Sequence, residues 1–295
     1  MSNTARALEV LETGPLALVQ DLGRPGLAAM GVGRSGAADR SAFRLGARLL
    51  AQGYDAAAIE VTLGGLAVRA HGDLLLALTG AVAPARVNGT EMAHVASFLV
   101  RDGQVLRLAV PKAGLRTYLS VRGGVDVPAV LGSRATDVLS RLGPAPLKVG
   151  DVLPVGPPPS TFPNVDLAPV RPMTNGPIAI RALLGPRADW LADPQLLAAT
   201  TWTVSSRSDR VGIRLEGTAL QRHETRLGQE LLSEGVVRGA IQVPPGGEPV
   251  LFLSDHPVTG GYPVVAVVRE VDIDLAAQAV PGQVIRIDLT PVSRS

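Results

Sequence analysis

The sequence has no cysteine, and aromatic residues make up only 3% of its 295 positions. Without cysteine, the chain has no disulfide framework, no thiolate nucleophile and no cysteine metal site, which fits a reducing compartment. The formal net charge is only +2, and no basic run suits a phosphate backbone. Few aromatic rings remain to stack on bases. The composition therefore argues against nucleic acid as a partner.

Long apolar runs are missing as well. No apolar stretch approaches the roughly 20 residues that a membrane-spanning helix needs. The start of the chain, MSNTARALEVLETG, lacks the basic segment and long apolar core of a signal peptide. We therefore expect a cytoplasmic protein with no membrane partner.

Several catalytic signatures are also absent. The histidines, at positions 71, 94, 223 and 256, show no metal-ligand spacing, so we expect no metal site. No G-x-S-x-G elbow supports serine hydrolase chemistry. No G-x-x-x-x-G-K-[ST] loop supports ordinary P-loop ATPase chemistry by this chain alone.

Short β-branched runs separated by turn residues dominate what is present. Glycine occurs 33 times and proline 24 times, and runs such as LALVQ, TWTVSS and VIRIDL lie between them. Many short strands with turn signals between them are typical of β-barrels and sandwiches. We predict a mainly β protein with few short helices.

One helix is readable near residues 39–52. Asp39 can cap the first turn of RSAFRLGARLLAQ, and Gly53 can end it. Arg40, Arg44 and Arg48 repeat at helical spacing, and two interpretations stay open: a solvated arginine face, or a surface for an anion or partner. A G-x-G-x-x-G match at residues 31–36 precedes the helix, but no strand runs into it, so a dinucleotide site is not favoured.

A proline-rich stretch divides the chain. We predict an N-terminal β-rich subdomain over 1–156, a linker over 157–177 and a C-terminal barrel subdomain over 178–295, with interleaving possible. A turn-plus-strand phrase recurs on both sides as RDGQVLRLAV, KVGDVLPVG and VPGQVIRIDL. It indicates either a common way to start a strand or two related barrels.

Two regions collect polar residues suited to binding. A glycine-rich loop places Arg24 and Ser35 among other charged side chains, which suits either internal ion pairs or a substrate or protein-binding surface. In the second half, Asp209 and Arg210 form either a turn pair or a carboxylate and guanidinium for a polar ligand. Glu234 and Gln242 lie around a turn and strand that are interrupted by glycines. A glutamate in such a place either caps backbone N–H groups or has a functional role.

Several long phrases, in a fixed order, resemble the family of the 5-oxoprolinase C subunit, whose members are also described as KipA-like, as the second component of allophanate hydrolase, or as carboxyltransferase subdomain A/B. These are VQDLGRPGLAAMGVGRSGAADRSAFRLGARLL, IEVTLGG, YLSVRGGVDVPAVLGSRATD, SSRSDRVGIRLEG, LLSEGVVRGAIQVPPGGEPV and SDHPVTGGYPVVAVV. The resemblance runs from about Leu8 to Leu289. It implies a cyclophilin-like β-barrel with an additional β-rich subdomain.

The resemblance also implies a function. Such a chain works beside two others, a B subunit that is KipI-like and an A subunit of the lactam-utilisation type. The complex couples ATP hydrolysis to opening the lactam of 5-oxoproline. Two alternatives stay open: a regulator that antagonises a KipI-type kinase inhibitor, and a carboxyltransferase component related to urea carboxylase. We expect no biotin on this chain because it has no Met-Lys-Met site, and the resemblance assigns ATP to the complex without saying which chain binds it.

The phrase SDHPVTGGYP suits lactam chemistry, which needs donors for the carbonyl oxygen and a group that handles the ring N–H proton. His256-Pro257-Val258 departs from the Arg-Gln-Thr of other members, so these three carry no expected role. A tight glycine turn is the competing interpretation. We predict catalytic roles for Asp209, Asp255, Thr259 and Tyr262, and substrate binding by Arg24, Ser35, Arg210, Glu234, Gln242, Gly260 and Gly261.

Overall fold

The computed structural model describes residues 6–165, 167–170 and 173–290, and these divide into two compact units. Unit 1 takes its described residues from Met1–Arg24, Ser35–Asp137 and Arg141–Thr174. Unit 2 takes them from Pro25–Arg34, Val138–Ser140 and Asn175–Ser295. No helix in these ranges has the length and apolar character needed to cross a bilayer.

Unit 1 consists of two antiparallel sheets and one helix. Its strands are β1 (Ala7–Thr13), β2 (Leu16–Gln20), β3 (Ala58–Thr62), β4 (Leu66–His71), β5 (Leu74–Gly80), β6 (Ala85–Val87), β7 (Thr90–Met92), β8 (Ser97–Val100), β9 (Val105–Leu108), β10 (Arg116–Val121) and β11 (Val152–Pro154). One sheet has the order β11-β1-β4-β9-β6-β7 and the other β2-β3-β10-β5-β8. Aliphatic side chains from both sheets share one core.

Helix α1 (Arg40–Leu49) packs against the second sheet, as the sequence predicted. The Asp39 carboxylate caps it by accepting from the Ala42 N–H at 2.9 Å. Of the two interpretations of the arginine repeat, a solvated face does not hold for Arg40, which is buried, whereas Arg48 is exposed. Tertiary packing at the start of the helix overrides the helical repeat, because residues 35–40 are all buried.

Unit 2 is built around a closed barrel. Its strands are β12 (Ile178–Leu184), β13 (Trp202–Val204), β14 (Gly212–Glu216), β15 (Glu234–Gly235), β16 (Ala240–Gln242), β17 (Val250–Phe252), β18 (Thr259–Gly260), β19 (Val264–Val268) and β20 (Val284–Thr290). Seven of them close in the order β12-β19-β16-β17-β14-β13-β20, and β15 pairs with β18 in a separate ribbon. The helices of this unit are α2 (Leu196–Ala199) and α3 (Glu270–Ala276). The prediction of a mainly β protein with few helices is confirmed.

The recurring turn-plus-strand phrase folds the same way three times, before β9, β11 and β20. In each turn the fourth residue's side chain accepts from the first residue's N–H: Gln104 from Arg101 at 2.8 Å, Asp151 from Lys148 at 2.7 Å, and Gln283 from Val280 at 3.1 Å. The third residue is a glycine with φ between 76° and 91°. Two copies lie in unit 1 and one in unit 2, so the turn follows from local chemistry, and a relation between the halves stays a hypothesis.

The proline-rich stretch 157–177 is held by unit 1 along much of its length. The Ala168 N–H donates to the Val95 carbonyl at 3.1 Å, and the Arg122 guanidinium donates to the Pro159 carbonyl at 2.9 Å. Asp166, Arg171 and Pro172 lie outside the described residues. The predicted division of the chain at 156 and 178 stays a prediction.

Candidate functional site

Asp255 and Arg210 form a buried ion pair in unit 2. The pairing of β14 with β17 brings them together, because the ladder continues through the Asp255 N–H to the Arg210 carbonyl at 3.0 Å. The guanidinium donates to the carboxylate through Nε at 2.9 Å and Nη2 at 3.1 Å. Both side chains are at most 2% exposed, and the Val138 N–H donates to Asp255 Oδ2 at 3.0 Å. This carboxylate is therefore anchored rather than open to a ligand.

Asp209 has a different environment from its neighbour Arg210. It is exposed, and its Oδ1 accepts from the backbone N–H groups of Val211 at 2.8 Å and Gly212 at 3.1 Å. A carboxylate that binds the backbone two and three residues on forms a local turn. The structure thus brings Asp209, Arg210 and Asp255 to one end of β14, with only the last two paired.

A two-residue ribbon brings the other predicted residues together. Strand β15 pairs with β18 so that Glu234 lies opposite Gly260 and Gly235 opposite Thr259. The bond from the Val236 N–H to the Val258 carbonyl, at 3.0 Å, extends the pairing by one step. Within the phrase SDHPVTGGYP, Val258, Thr259 and Gly260 therefore form one strand of a short two-stranded ribbon.

Glu234 on this ribbon is paired with Arg187. The Arg187 Nε donates to Glu234 Oε2 at 3.1 Å, and its Nη2 contacts Oε1. Both side chains are about a third exposed, at 37% for Arg187 and 32% for Glu234. The hydrogen bond from Arg187 lowers the pKa of the Glu234 carboxyl below its ordinary value. Glu234 is thus a solvent-reachable anion that stays ionised, and nothing in the sequence near Arg187 pointed to this pairing.

Gln242, at the end of β16, presents its amide beneath the ribbon. Its Nε2 donates to the Tyr262 carbonyl at 2.7 Å, which fixes the orientation of the amide. A Cβ added at Gly260 would lie 2.7 Å from that Nε2, so a larger residue there would displace the Gln242 amide. No hydrogen bond of the described residues uses Gln242 Oε1. A buried side chain therefore holds an available acceptor in a fixed direction.

The remaining residues of the phrase lie at the surface. Thr259, Gly261 and Tyr262 are exposed, and the Tyr262 side chain is 46% accessible. Their hydroxyl and amide groups are donors that a polar ligand can reach. Glu234, Gln242, Thr259, Gly260, Gly261 and Tyr262 together define what we term the ribbon site. Among the described residues, no group of three or more His, Asp or Glu side chains could hold a metal ion.

Arg24 and Ser35 lie in unit 1, where both are buried. The Ser35 hydroxyl donates to the Thr136 carbonyl at 3.3 Å. The Arg24 guanidinium donates to the carbonyls of Val130 and Ala135, at 3.3 and 2.6 Å. The sequence pointed to this region without revealing that the segment around Thr136 completes it.

Comparisons with known proteins agree on one family. The family described as "Carboxyltransferase domain, subdomain A and B" matches residues 30–289. The chain is 38% identical to the C subunit of 5-oxoprolinase from Escherichia coli K12, over 94% of this chain and 89% of that protein. It is 33% identical to the C subunit of 5-oxoprolinase from Haemophilus influenzae, over 95% of this chain and 90% of that protein. The crystal structure of the K. lactis urea amidolyase superposes with a TM-score of 0.91 and 30% identity, over 98% of this chain but 19% of that one.

Proposed function

The chain belongs to the carboxyltransferase domain family, subdomains A and B, and from that premise we propose that it is the C subunit of an ATP-dependent 5-oxoprolinase. The observation that carries this proposal is the near full-length match to two bacterial C subunits. In the urea amidolyase, by contrast, the region that matches this chain makes up only 19% of a much longer protein. The barrel of unit 2 is then the cyclophilin-like part of the fold.

The proposed assembly also contains a KipI-like B subunit together with an A subunit of the lactam-utilisation type, and it works in the cytoplasm. It hydrolyses the lactam of 5-oxoproline to glutamate while ATP is consumed. In the lactam step the carbon–nitrogen bond of the ring breaks, water supplies the oxygen of the new carboxylate, and the ring nitrogen takes up a proton to become the amine.

We assign ATP to the assembly rather than to the glycine-rich loop of this chain. At the start of α1, where a phosphate would bind, the backbone N–H groups already have internal acceptors. Ala37 donates to the Asp21 carbonyl at 2.8 Å, Ala38 to Glu60 at 2.9 Å, and Asp39 to the Tyr118 hydroxyl at 2.8 Å. The Asp39 carboxylate at the cap would also repel a phosphate. These residues do not fit a nucleotide phosphate, and no Met-Lys-Met site is present for biotin.

We propose that the ribbon site binds the lactam. Gln242 Oε1 accepts the ring N–H, because it is a fixed acceptor with no partner among the described residues. The hydroxyls of Thr259 and Tyr262, with the N–H groups of Gly260 and Gly261, donate to the carbonyl oxygen as negative charge develops there. Glu234, which Arg187 keeps ionised, accepts a hydrogen bond from the departing amine.

Asp255 and Arg210 have a positioning role in this proposal, as does Asp209. Asp255 follows β17 and begins the phrase that ends at Tyr262, and its carboxylate is fully engaged by Arg210 and the Val138 N–H. A buried carboxylate whose oxygens already accept from a guanidinium and a backbone N–H holds the start of the loop in place. Asp209 fixes the turn from which Arg210 enters the interior.

The test is glutamate formation from 5-oxoproline and ATP by this chain co-purified with its A and B subunits. We expect Tyr262→Phe and Gln242→Met to lower kcat/KM about 10- to 100-fold, as loss of one transition-state contact does. Tyr54→Phe is the matched control, since Tyr54 is exposed in unit 1 and Phe keeps its ring against Arg44. Full activity in both ribbon variants would remove the ribbon site from the proposal. No turnover by an intact assembly would overturn the assignment as the C subunit.

A carboxyltransferase component is the second candidate, favoured by the TM-score of 0.91 to a urea amidolyase. In that function the chain would move a carboxyl group from carboxybiotin on another chain to an amide nitrogen. Biotin-dependent carboxylation of urea, in the presence of a separate biotin carboxylase, would identify it. Glutamate formation without biotin would reject it.

A further inference from the structure

Among the described residues, the Arg187 guanidinium is bonded along one of its edges. Its Nε donates to Glu234 Oε2 at 3.1 Å, and its Nη2 contacts Oε1 of the same carboxylate. No hydrogen bond of the described residues uses Nη1. A guanidinium holds its N–H groups in a fixed planar fork, so the edge formed by Nη1 and Nη2 keeps donors for a second acceptor. Because the side chain is 37% exposed, a ligand can supply that acceptor.

Backbone bonds fix Arg187 beside the ribbon site. The Arg187 N–H donates to the Val264 carbonyl at 3.1 Å, and the Gly185 N–H donates to the Val265 carbonyl at 2.8 Å. Val264 begins β19 and follows Tyr262 by two residues. A Cβ added at Gly185 would lie 2.4 Å from the Val264 carbonyl oxygen, so a larger residue there would push the two segments apart. The backbone of Arg187 is therefore held next to the end of the phrase that forms the ribbon site.

Glu234 joins this arginine to the groups that we assign to the lactam. Glu234 lies opposite Gly260 in the ribbon, and a Cβ added at Gly260 would lie 2.7 Å from Gln242 Nε2. The guanidinium of Arg187, the carboxylate of Glu234 and the amide of Gln242 thus belong to one continuous set of contacts, all within unit 2.

The contacts proposed for the lactam leave one group of 5-oxoproline without a partner. Gln242 accepts the ring N–H, and the hydroxyl and glycine N–H donors bind the ring carbonyl oxygen. The carboxylate, which is attached to the carbon next to the ring nitrogen, has no cation among these groups. Glu234, which receives the departing amine, would repel it, whereas Arg187 is the cation bonded to Glu234. A carboxylate beside the amine therefore meets the open edge of Arg187.

We infer that Arg187 is a specificity-determining residue, whose open edge binds a carboxylate on the carbon next to the lactam nitrogen, so that the site selects carboxylated lactams over plain ones. The inference rests on the proposed ribbon site and adds to it a requirement for the charge of the substrate. Paired guanidinium and carboxylate groups fix orientation as well as charge, so Arg187 also aligns the ring with Gln242. In the product, the amine next to Glu234 and the carboxylate next to Arg187 keep the same order.

The test is the kinetics of glutamate formation by this chain assembled with its A and B subunits, near neutral pH, with 2-pyrrolidinone as a competitive inhibitor. 2-Pyrrolidinone has the lactam without the carboxylate. We expect Arg187→Gln to raise the KM for 5-oxoproline about 10- to 100-fold, the effect of losing one charged hydrogen-bond partner. The kcat should change less than about 3-fold, because the carboxylate is bound equally in the ground state and the transition state. The Ki of 2-pyrrolidinone should stay within about 2-fold, because the inhibitor has no group for Arg187 to bind.

Three further variants separate specificity from structure. Arg207→Gln is the matched control with unchanged constants, because Arg207 is another exposed arginine of unit 2 that lies near glutamates, 3.6 Å from Glu216 and 3.3 Å from Glu248. Arg187→Lys keeps the charge without the fork and should recover part of the loss. Glu234→Gln keeps the arginine and should lower kcat while 5-oxoproline stays preferred over 2-pyrrolidinone. If Arg187 served only to hold Glu234, Arg187→Gln and Glu234→Gln would have the same effect.

An unchanged KM in folded Arg187→Gln would overturn the inference, as would an equal weakening of 5-oxoproline and 2-pyrrolidinone. Circular dichroism checks that each variant is folded. Where a variant turns over too slowly for kinetics, calorimetric Kd values of the two lactams for the assembly without ATP decide in the same way. A failure of the proposed function is distinct, because the unsubstituted assembly would then not turn over 5-oxoproline at all, and the inference would fall with it.

Discussion

Arg24 in unit 1 and Arg210 in unit 2 are almost equally removed from solvent, at 1% and 2% exposure, yet their partners differ. Arg210 donates twice to the Asp255 carboxylate, so its charge is compensated inside the protein. Arg24 donates only to backbone carbonyls and has one nitrogen without a partner. Burial alone therefore does not show what an arginine does, whereas the charge of its partners does. A compensated pair anchors two elements to each other, whereas a guanidinium that bonds only to carbonyls anchors the backbone segment that it contacts.

The largest expected effect is loss of the Arg210–Asp255 pair. Removing one member of a buried ion pair leaves the other charge unpaired and costs about 3–5 kcal/mol. We therefore expect both Asp255→Ala and Arg210→Met to lower the free energy of unfolding by about that amount, measured by urea titration. The double variant Arg210→Met with Asp255→Leu should recover most of the loss, because no isolated charge remains. Asp209→Ala is the control, since the exposed Asp209 carboxylate supports only a local turn, worth about 1 kcal/mol.

Arg24→Met should have a smaller effect on stability than Arg210→Met. The Arg24→Met substitution leaves no carboxylate unpaired, because the Arg24 guanidinium donates only to backbone carbonyls. It also removes a buried positive charge. We expect a loss below about 2 kcal/mol, from the two hydrogen bonds to carbonyls. Equal losses in the two methionine variants, in matched urea titrations, would mean that Arg24 is compensated within the chain after all.

The smallest effect concerns Glu234 in the ribbon site. The hydrogen bond from Arg187 lowers the pKa of this carboxyl, so the folded state binds its proton less readily than the unfolded chain does. The ion pair with Arg187 therefore stabilises the folded state fully above the ordinary glutamate pKa. This stabilisation is lost as the pH falls through the lowered pKa of Glu234. Carbon NMR of the Glu234 carboxyl should show this titration, and Arg187→Gln should move the pKa upward to its ordinary range. Because the pair is partly exposed, salt should shrink the shift, and a shift unaffected by salt would contradict the assignment.

The sequence was sufficient for elements that depend on neighbouring residues. The cap at Asp39, the helix after it and the three copies of the glycine turn all follow from chemistry within four residues. Strand β14 buries Ile213 and Leu215 and exposes Arg214 and Glu216, which is the alternation expected of a strand with one face in the core. Local patterns were right where local bonds decide the structure.

Features set by distant residues could not be read from the sequence. The pairing of Arg210 with Asp255 joins residues 45 positions apart, and that of Arg187 with Glu234 joins residues 47 apart. The bond from Gln20 to Thr136 spans 116 positions. Adjacent Asp209 and Arg210 suited either a turn pair or a joint site for a polar ligand, but the Arg210 guanidinium is buried against Asp255 while the Asp209 carboxylate is exposed and binds its local backbone. These side chains meet because strands that are distant in the sequence lie next to each other in the fold, and the residues around each side chain do not reveal which strands those are.

The most direct test of the central claim is the rate of glutamate release from 5-oxoproline and ATP by the A and B subunits, with and without this chain. We predict negligible turnover by those two chains alone and full turnover when this chain is added in equal amounts. Equal rates with and without it, from preparations in which the three chains associate, would contradict its role as the C subunit.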